Sequence, residues 1–425
     1  MNTAGLSLEQ APPLRVPLTF YALVPVFLAL AGGLLAMDGL ALLVTGWAPP
    51  TMALVHLLTL GVLGAAMWGS LYQLVPVVAG ARVPGAGFAP GVAAALGLGT
   101  LALAAGLRFG VPGALWAAVG LLLLALGAFL GPVGWALVRA PARGPTVLGL
   151  RLGVLCFAVL AGLGLRLALG HAGHADGSMP AARADLLLAH VGLGLFGWVG
   201  GLIAAVAGQV MPMFFLARGP GPRVSTALAL GHALPPLGSA LALLAGAPFG
   251  VLQAFVGLAA VVALLVQPVL SLGALARRKR RRPEASLRLF VLSGVAAPLA
   301  LAAGFALALT EWPPAGPLFG WCALVGWALS LVLGMLTRIV PFLLWFHGVA
   351  RSDDVRSVPP MKRLWLETEV AGLAGLHAAV LACGATAAIT TSDALARITG
   401  GLLLTEAVAV AISLRRALVR SRGAR

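Results

Sequence analysis

Four histidines and one glutamate fall inside stretches that are otherwise almost wholly apolar: His56, His190, His232, His377 and Glu406. Ionisable side chains in such surroundings are costly to bury and mark functional positions. Neutral imidazole is the commonest metal ligand, and two histidines on facing helices can clamp an iron from both sides. His56, His190 and His232 are therefore metal candidates, with His56, His190 and His377 as candidates for holding a cofactor. Each can equally hydrogen-bond a neighbouring carbonyl. Glu406 needs a partner or a proton and is a candidate proton site. Gln73, Gln209 and Arg338 form a second set, each three residues before a proline. A proline inside a helix frees a carbonyl one turn back. Such a polar end can bind propionates, a quinone or an anion, or can cap and snorkel at the membrane edge. Smaller signals are the outer-face motif His171-x-x-His174-x-Asp176, which suits a divalent metal or a solvated loop, and Met211 and Met213, which suit soft copper or core packing.

These residues need elements to hold them. The 425 residues are 60% hydrophobic and only 9% charged, too few charges for a soluble domain of this length. The apolar runs are continuous and about twenty residues long, which is the helix pattern; barrel strands alternate over about ten. The chain reads as an all-α polytopic membrane protein with spans over 18–45, 51–79, 88–107, 112–138, 148–169, 184–215, 224–246, 249–274, 287–310, 317–347, 365–390 and 394–415. The net charge of +16 sits in alternate loops, so it marks topology and gives no nucleic-acid partner. Both termini then face the cytoplasm, with tails 1–17 and 416–425, and the Arg277–Arg282 run is a topology anchor. Met1–Val16 is polar with no cleavage site behind it, so the first apolar run is a span. The three cysteines lack CxxC spacing and read as small packed hydrophobes.

Three of these spans carry one pattern. His56–Pro76, His190–Pro212 and Gly320–Pro341 are long, Gly-rich and proline-ended. Gln73 precedes Gln209 by 136 residues, and Gln209 precedes Arg338 by 129. The repeat unit is four helices, over about 18–138, 148–274 and 287–415, in one transmembrane domain. The three units run parallel, unlike the inverted repeats common in transporters, and are expected to close as pseudo-threefold arcs. No P-loop, GxSxG, HExxH, CxxCH or dinucleotide fingerprint is present, so neither a hydrolase nor a nucleotide-driven pump has support.

Twelve spans in three arcs, with His56 near the outer end of the second, resemble the catalytic subunit (subunit I) of haem–copper oxidases. Relatives of those oxidases are the nitric-oxide reductases and the NnrS proteins. The resemblance implies haem b on His56 and copper near His190, with His377 as the second axial ligand to test. It also implies a bacterial inner membrane, respiratory redox proteins or quinone as partners, and a role in electron transfer or in the response to oxygen or nitric oxide. The family's seventh-span His-His is reduced to Gly231-His232, and its tenth-span His-x-His is absent. A complete oxygen-reducing centre is therefore not expected, and whether the protein is an enzyme stays open. The alternatives are a permease for a small solute, metal or haem, and a non-catalytic assembly subunit of a respiratory complex.

Overall fold

A computed structural model describes residues 8–174, 179–279, 284–352 and 354–422. Among these there is no strand, and twelve helices are long and apolar enough to cross a membrane. They are α1 Arg15–Leu42, α2 Pro49–Ala79, α3 Ala86–Phe109, α4 Pro112–Arg139, α5 Pro145–Gly173, α6 Arg183–Phe215, α7 Pro222–Leu244, α8 Phe249–Ala276, α9 Ser286–Leu309, α10 Ala315–Val349, α11 Glu367–Thr390 and α12 Asp393–Arg422. Each expected span has its helix. Proline stands in the first turn of α2, α4, α5 and α7, where its missing N–H would be unpaired anyway. The expected tail after 415 is instead helical through Arg422. Arg420 donates to both carboxylate oxygens of Glu369 at 2.8 Å, which holds the last turns of α12 against α11.

The three longest helices are α2, α6 and α10, with 31, 33 and 35 residues. Each widens into a π-helix at the same place: Leu57–Gly64, Gly192–Gly200 and Cys322–Leu329. Shorter π turns of five residues occur in α2, α5 and α8. Inside each long π-helix one glycine lies against the first helix of its own repeat. Gly61 abuts Phe27, Gly197 abuts Cys156 and Gly326 abuts Ala296; a Cβ at Gly197 would stand 3.0 Å from that of Cys156, and one at Gly326 would stand 2.5 Å from that of Ala296. These glycines are 136 and 129 residues apart, the same steps that separate Gln73, Gln209 and Arg338. The repeat is thus one of packing as well as of sequence.

The helices group into two compact units. The first holds residues 1–12 and 70–281. Within it Gly99 and Gly106 of α3 receive Leu122 and Leu115 of α4. Tyr72, Phe129, Phe157 and Trp198 form an aromatic row at centroid spacings of 5.7, 6.3 and 4.2 Å. The second unit holds residues 13–69 and 282–425. There α1 crosses α12 backbone to backbone: a Cβ on Gly32 would lie 2.7 Å from the Leu404 nitrogen, and one on Gly400 would collide with the Ala36 backbone. Small residues permit this approach, the usual basis of helix association in lipid. Asp393 of α12 accepts from the Leu40 N–H at 2.9 Å, and Arg397 donates to the Ala36 and Met37 carbonyls, so α12 caps the end of α1.

Candidate functional site

The second unit contains a fully buried polar chain. His377 is ten residues into α11, about 15 Å along the helix at 1.5 Å per residue, so near mid-span. Its Nδ1 lies 2.8 Å from Glu406 Oε1 on α12, and its Nε2 lies 2.8 Å from Ser330 Oγ on α10. Both His377 and Glu406 have 0% exposure. Ser330 follows directly on the π-helix of α10, and its Oγ donates to the Val325 carbonyl at 3.4 Å, the long end for such a bond. The Ser330 N–H reaches the same carbonyl, five residues back. Glu406 Oε2 is buried and has no hydrogen-bond partner among the described residues.

The direction of this chain follows from its end. A carbonyl only accepts, so Ser330 donates to Val325 and must accept from Nε2–H of His377. Nδ1 then faces Glu406 in one of two ways. Either neutral imidazole accepts from a protonated carboxyl, or imidazolium donates to a carboxylate. Both forms carry no net charge, which is what an apolar interior tolerates. The two forms differ by the place of one proton on a 2.8 Å bond, and Oε2 is a buried acceptor with no partner among the described residues.

The first unit carries a plainer copy. His232 is ten residues into α7, as His377 is in α11. Its Nδ1 donates at 3.0 Å to the carbonyl of Phe196 in the π-helix of α6, and its buried Nε2 has no partner among the described residues. Stepping back 129 residues from Ser330 reaches Gly201, whose absent Cβ would lie 3.8 Å from that of His232. Val262 of α8, thirteen residues into its helix as Glu406 is in α12, packs on Gly231.

The other expected site residues are dispersed. His56 adjoins the π-helix of α2, with Nδ1 2.7 Å from the Met52 carbonyl. His190 packs over Gly164, where a Cβ would stand 2.9 Å from its Cε1. Gly61 and Gly69 receive Phe27, Phe20 and Tyr21 of α1, and Gly194 and Gly197 receive Leu160 and Cys156, so these four glycines seat side chains. Arg338 is held by Glu284 and by Ser286 Oγ, at 2.9 Å from Nε. Gln73 is buried, with Oε1 unpartnered among the described residues, and Gln209 is half-buried. Met211 is buried and Met213 half-buried; Cys156 and Cys322 are buried free thiols and Cys383 is a half-buried one. His171 accepts from Arg183 at 3.1 Å, while Asp176, Arg280–Arg282 and the side chain of His174 lie outside the described residues. No group of three or more His, Cys, Asp or Glu side chains able to hold a metal occurs among the described residues.

Sequence reasoning marked His377 and Glu406 but did not join them, and it missed Ser330. A signal was present. His377 precedes Thr391 by 14 residues and Glu406 follows Ser392 by 14, so an antiparallel hairpin turning there sets them level. No protein-family model matches the chain, and no curated protein matches it.

Proposed function

We propose that this multi-pass membrane protein is a proton-coupled carrier of a small solute, with Glu406 and His377 as the group that takes up and releases the proton. The observation that carries the reading is the buried Glu406–His377–Ser330 chain, with one carboxylate oxygen open. A membrane-embedded ionisable pair of this kind marks a proton or substrate pathway by default. Protonation at Oε2 changes the charge of the pair by one. The helices that hold it, α10, α11 and α12, then feel a different field at mid-span. The test is pH-gradient-driven uptake into proteoliposomes. Glu406→Gln, which keeps the shape and removes the titrating oxygen, should abolish the gradient dependence. Unchanged gradient-driven uptake in that variant refutes the reading.

A second reading follows the oxidase resemblance, and a specific observation favours it. His56 Nδ1 lies 2.7 Å from the Met52 carbonyl, and a backbone carbonyl at Nδ1 is a contact by which metal-bound histidines are oriented. His56 thus fits a b-type haem as one axial ligand, and the haem would supply electron transfer or diatomic-gas binding. Ligation by His377 would first require loss of its bond to Ser330 or Glu406. The second reading predicts a Soret band in the purified protein that vanishes in His56→Ala and persists in Glu406→Gln. A colourless protein after expression with haem supplied excludes it.

A further inference from the structure

The first unit also holds an open-sided cavity of about 870 Å³ between the starts of α5 and α7, on the side assigned to the cytoplasm by the positive-inside rule. Arg143, Arg151 and Arg223 line it beside Thr226, and Leu148 and Leu230 continue it along the two helices. Arg151 is fixed in place, donating from Nε to the Leu137 carbonyl at 2.8 Å, and it closes the end of α4. α5 and α7, which begin here at Pro145 and Pro222, have no side-chain cap, so their first N–H groups and positive dipole ends add to the arginines. Among the described residues no carboxylate forms an ion pair with them: between Ser70 and Arg281 the only acidic residues are Asp176 and Asp185, in and after the outer loop joining α5 to α6, and the unit's segment 1–12 adds Glu9 alone. The second unit differs, for there Arg338 meets Glu284, and Arg416 and Arg420 meet Glu369. Arg139 stacks on the exposed Trp135 ring at 3.9 Å beside the cavity, an aromatic–cation pair typical of the headgroup level.

We infer that this cavity is a binding site for a phosphate group, three guanidiniums and two helix starts taking the anion while Leu148 and Leu230 meet apolar chain. The ligand chemistry is that of an anionic phospholipid headgroup, and free phosphate shares its polar half. Guanidinium pairs recognise phosphate oxygens bidentately, and each basic group near a membrane surface adds to the attraction for anionic lipid.

Native mass spectrometry of the delipidated protein, titrated with phosphatidylglycerol, phosphatidylcholine or inorganic phosphate, tests this. Arg143→Gln with Arg223→Gln is the test variant, leaving Arg151 to hold α4. Arg218→Gln, on the same side but outside the lining, is the control. The wild type should retain phosphatidylglycerol over phosphatidylcholine, and the double variant should bind it about tenfold or more weakly. Retention of phosphate with no preference between the lipids would assign the same site to the soluble anion. Equal binding by wild type and double variant, or an equal loss in the Arg218 control, overturns the site.

Discussion

His232 and His377 stand 145 residues apart at the same point of corresponding helices, yet they live in opposite chemical surroundings. In the first unit, glycine at 201 and valine at 262 leave the imidazole to donate to a π-helix carbonyl, with Nε2 unanswered. In the second unit, Ser330 stands between imidazole and the corresponding carbonyl, and Glu406 takes the other nitrogen. Phe196 and Val325, whose carbonyls accept in the two cases, are again 129 residues apart. The π-helix therefore offers the same acceptor in both units, and two substitutions decide whether the histidine above it is a structural donor or part of a protonatable chain. A repeat that keeps its backbone and varies two side chains can confine the chemistry to one copy.

The comparison breaks most sharply at the histidines themselves. His377→Ala strands a buried carboxyl, and removing one partner of a buried pair costs about 3–5 kcal/mol. His232→Ala strands only a carbonyl that keeps its own backbone N–H from Gly201, so its cost should be about 1–3 kcal/mol. Unfolding in detergent by denaturant should rank the two in that order, and His377→Ala with Glu406→Ala should recover part of the loss. Equal costs would mean that Glu406 and His377 do not depend on each other. A smaller effect is expected from Ser330→Gly, which gives the second unit the residue of the first. Hydrogen bonds between membrane helices are worth about 0.6 kcal/mol, with a maximum near 1.7, and the loss should fall in that range. The smallest concerns the reverse change. A Cβ at Gly201 meets only ordinary contact distance, so Gly201→Ser should be accommodated and should stabilise by about 0.6 kcal/mol if its hydroxyl answers Nε2 of His232. A loss of more than about 1 kcal/mol would show that the two sites are not interchangeable.

The fold was legible in the sequence because lipid imposes it. Continuous apolar runs, alternate-loop arginines and proline starts locate twelve helices. The period through Gln73, Gln209 and Arg338 reappears in the glycines of the π-helices. The site was legible only in its ionisable members, since a histidine or glutamate stands out in an apolar run and a serine does not. Ser330 joins the buried chain through the π-helix before it, and a run of Gly, Trp, Ala and Leu carries no mark that separates π from α. That the glycines beside His56 seat Phe20 and Phe27 is equally unmarked in the sequence.

The carboxyl stretch of Glu406 tests the central claim most directly. Infrared difference spectra of the protein in lipid, recorded across pH, should contain a protonated-carboxyl band that appears and disappears with pH. That band should be absent in Glu406→Gln and displaced in Ser330→Gly. A spectrum without a pH-dependent carboxyl band, or one that Glu406→Gln leaves unchanged, would contradict a proton-exchanging pair at Glu406 and His377.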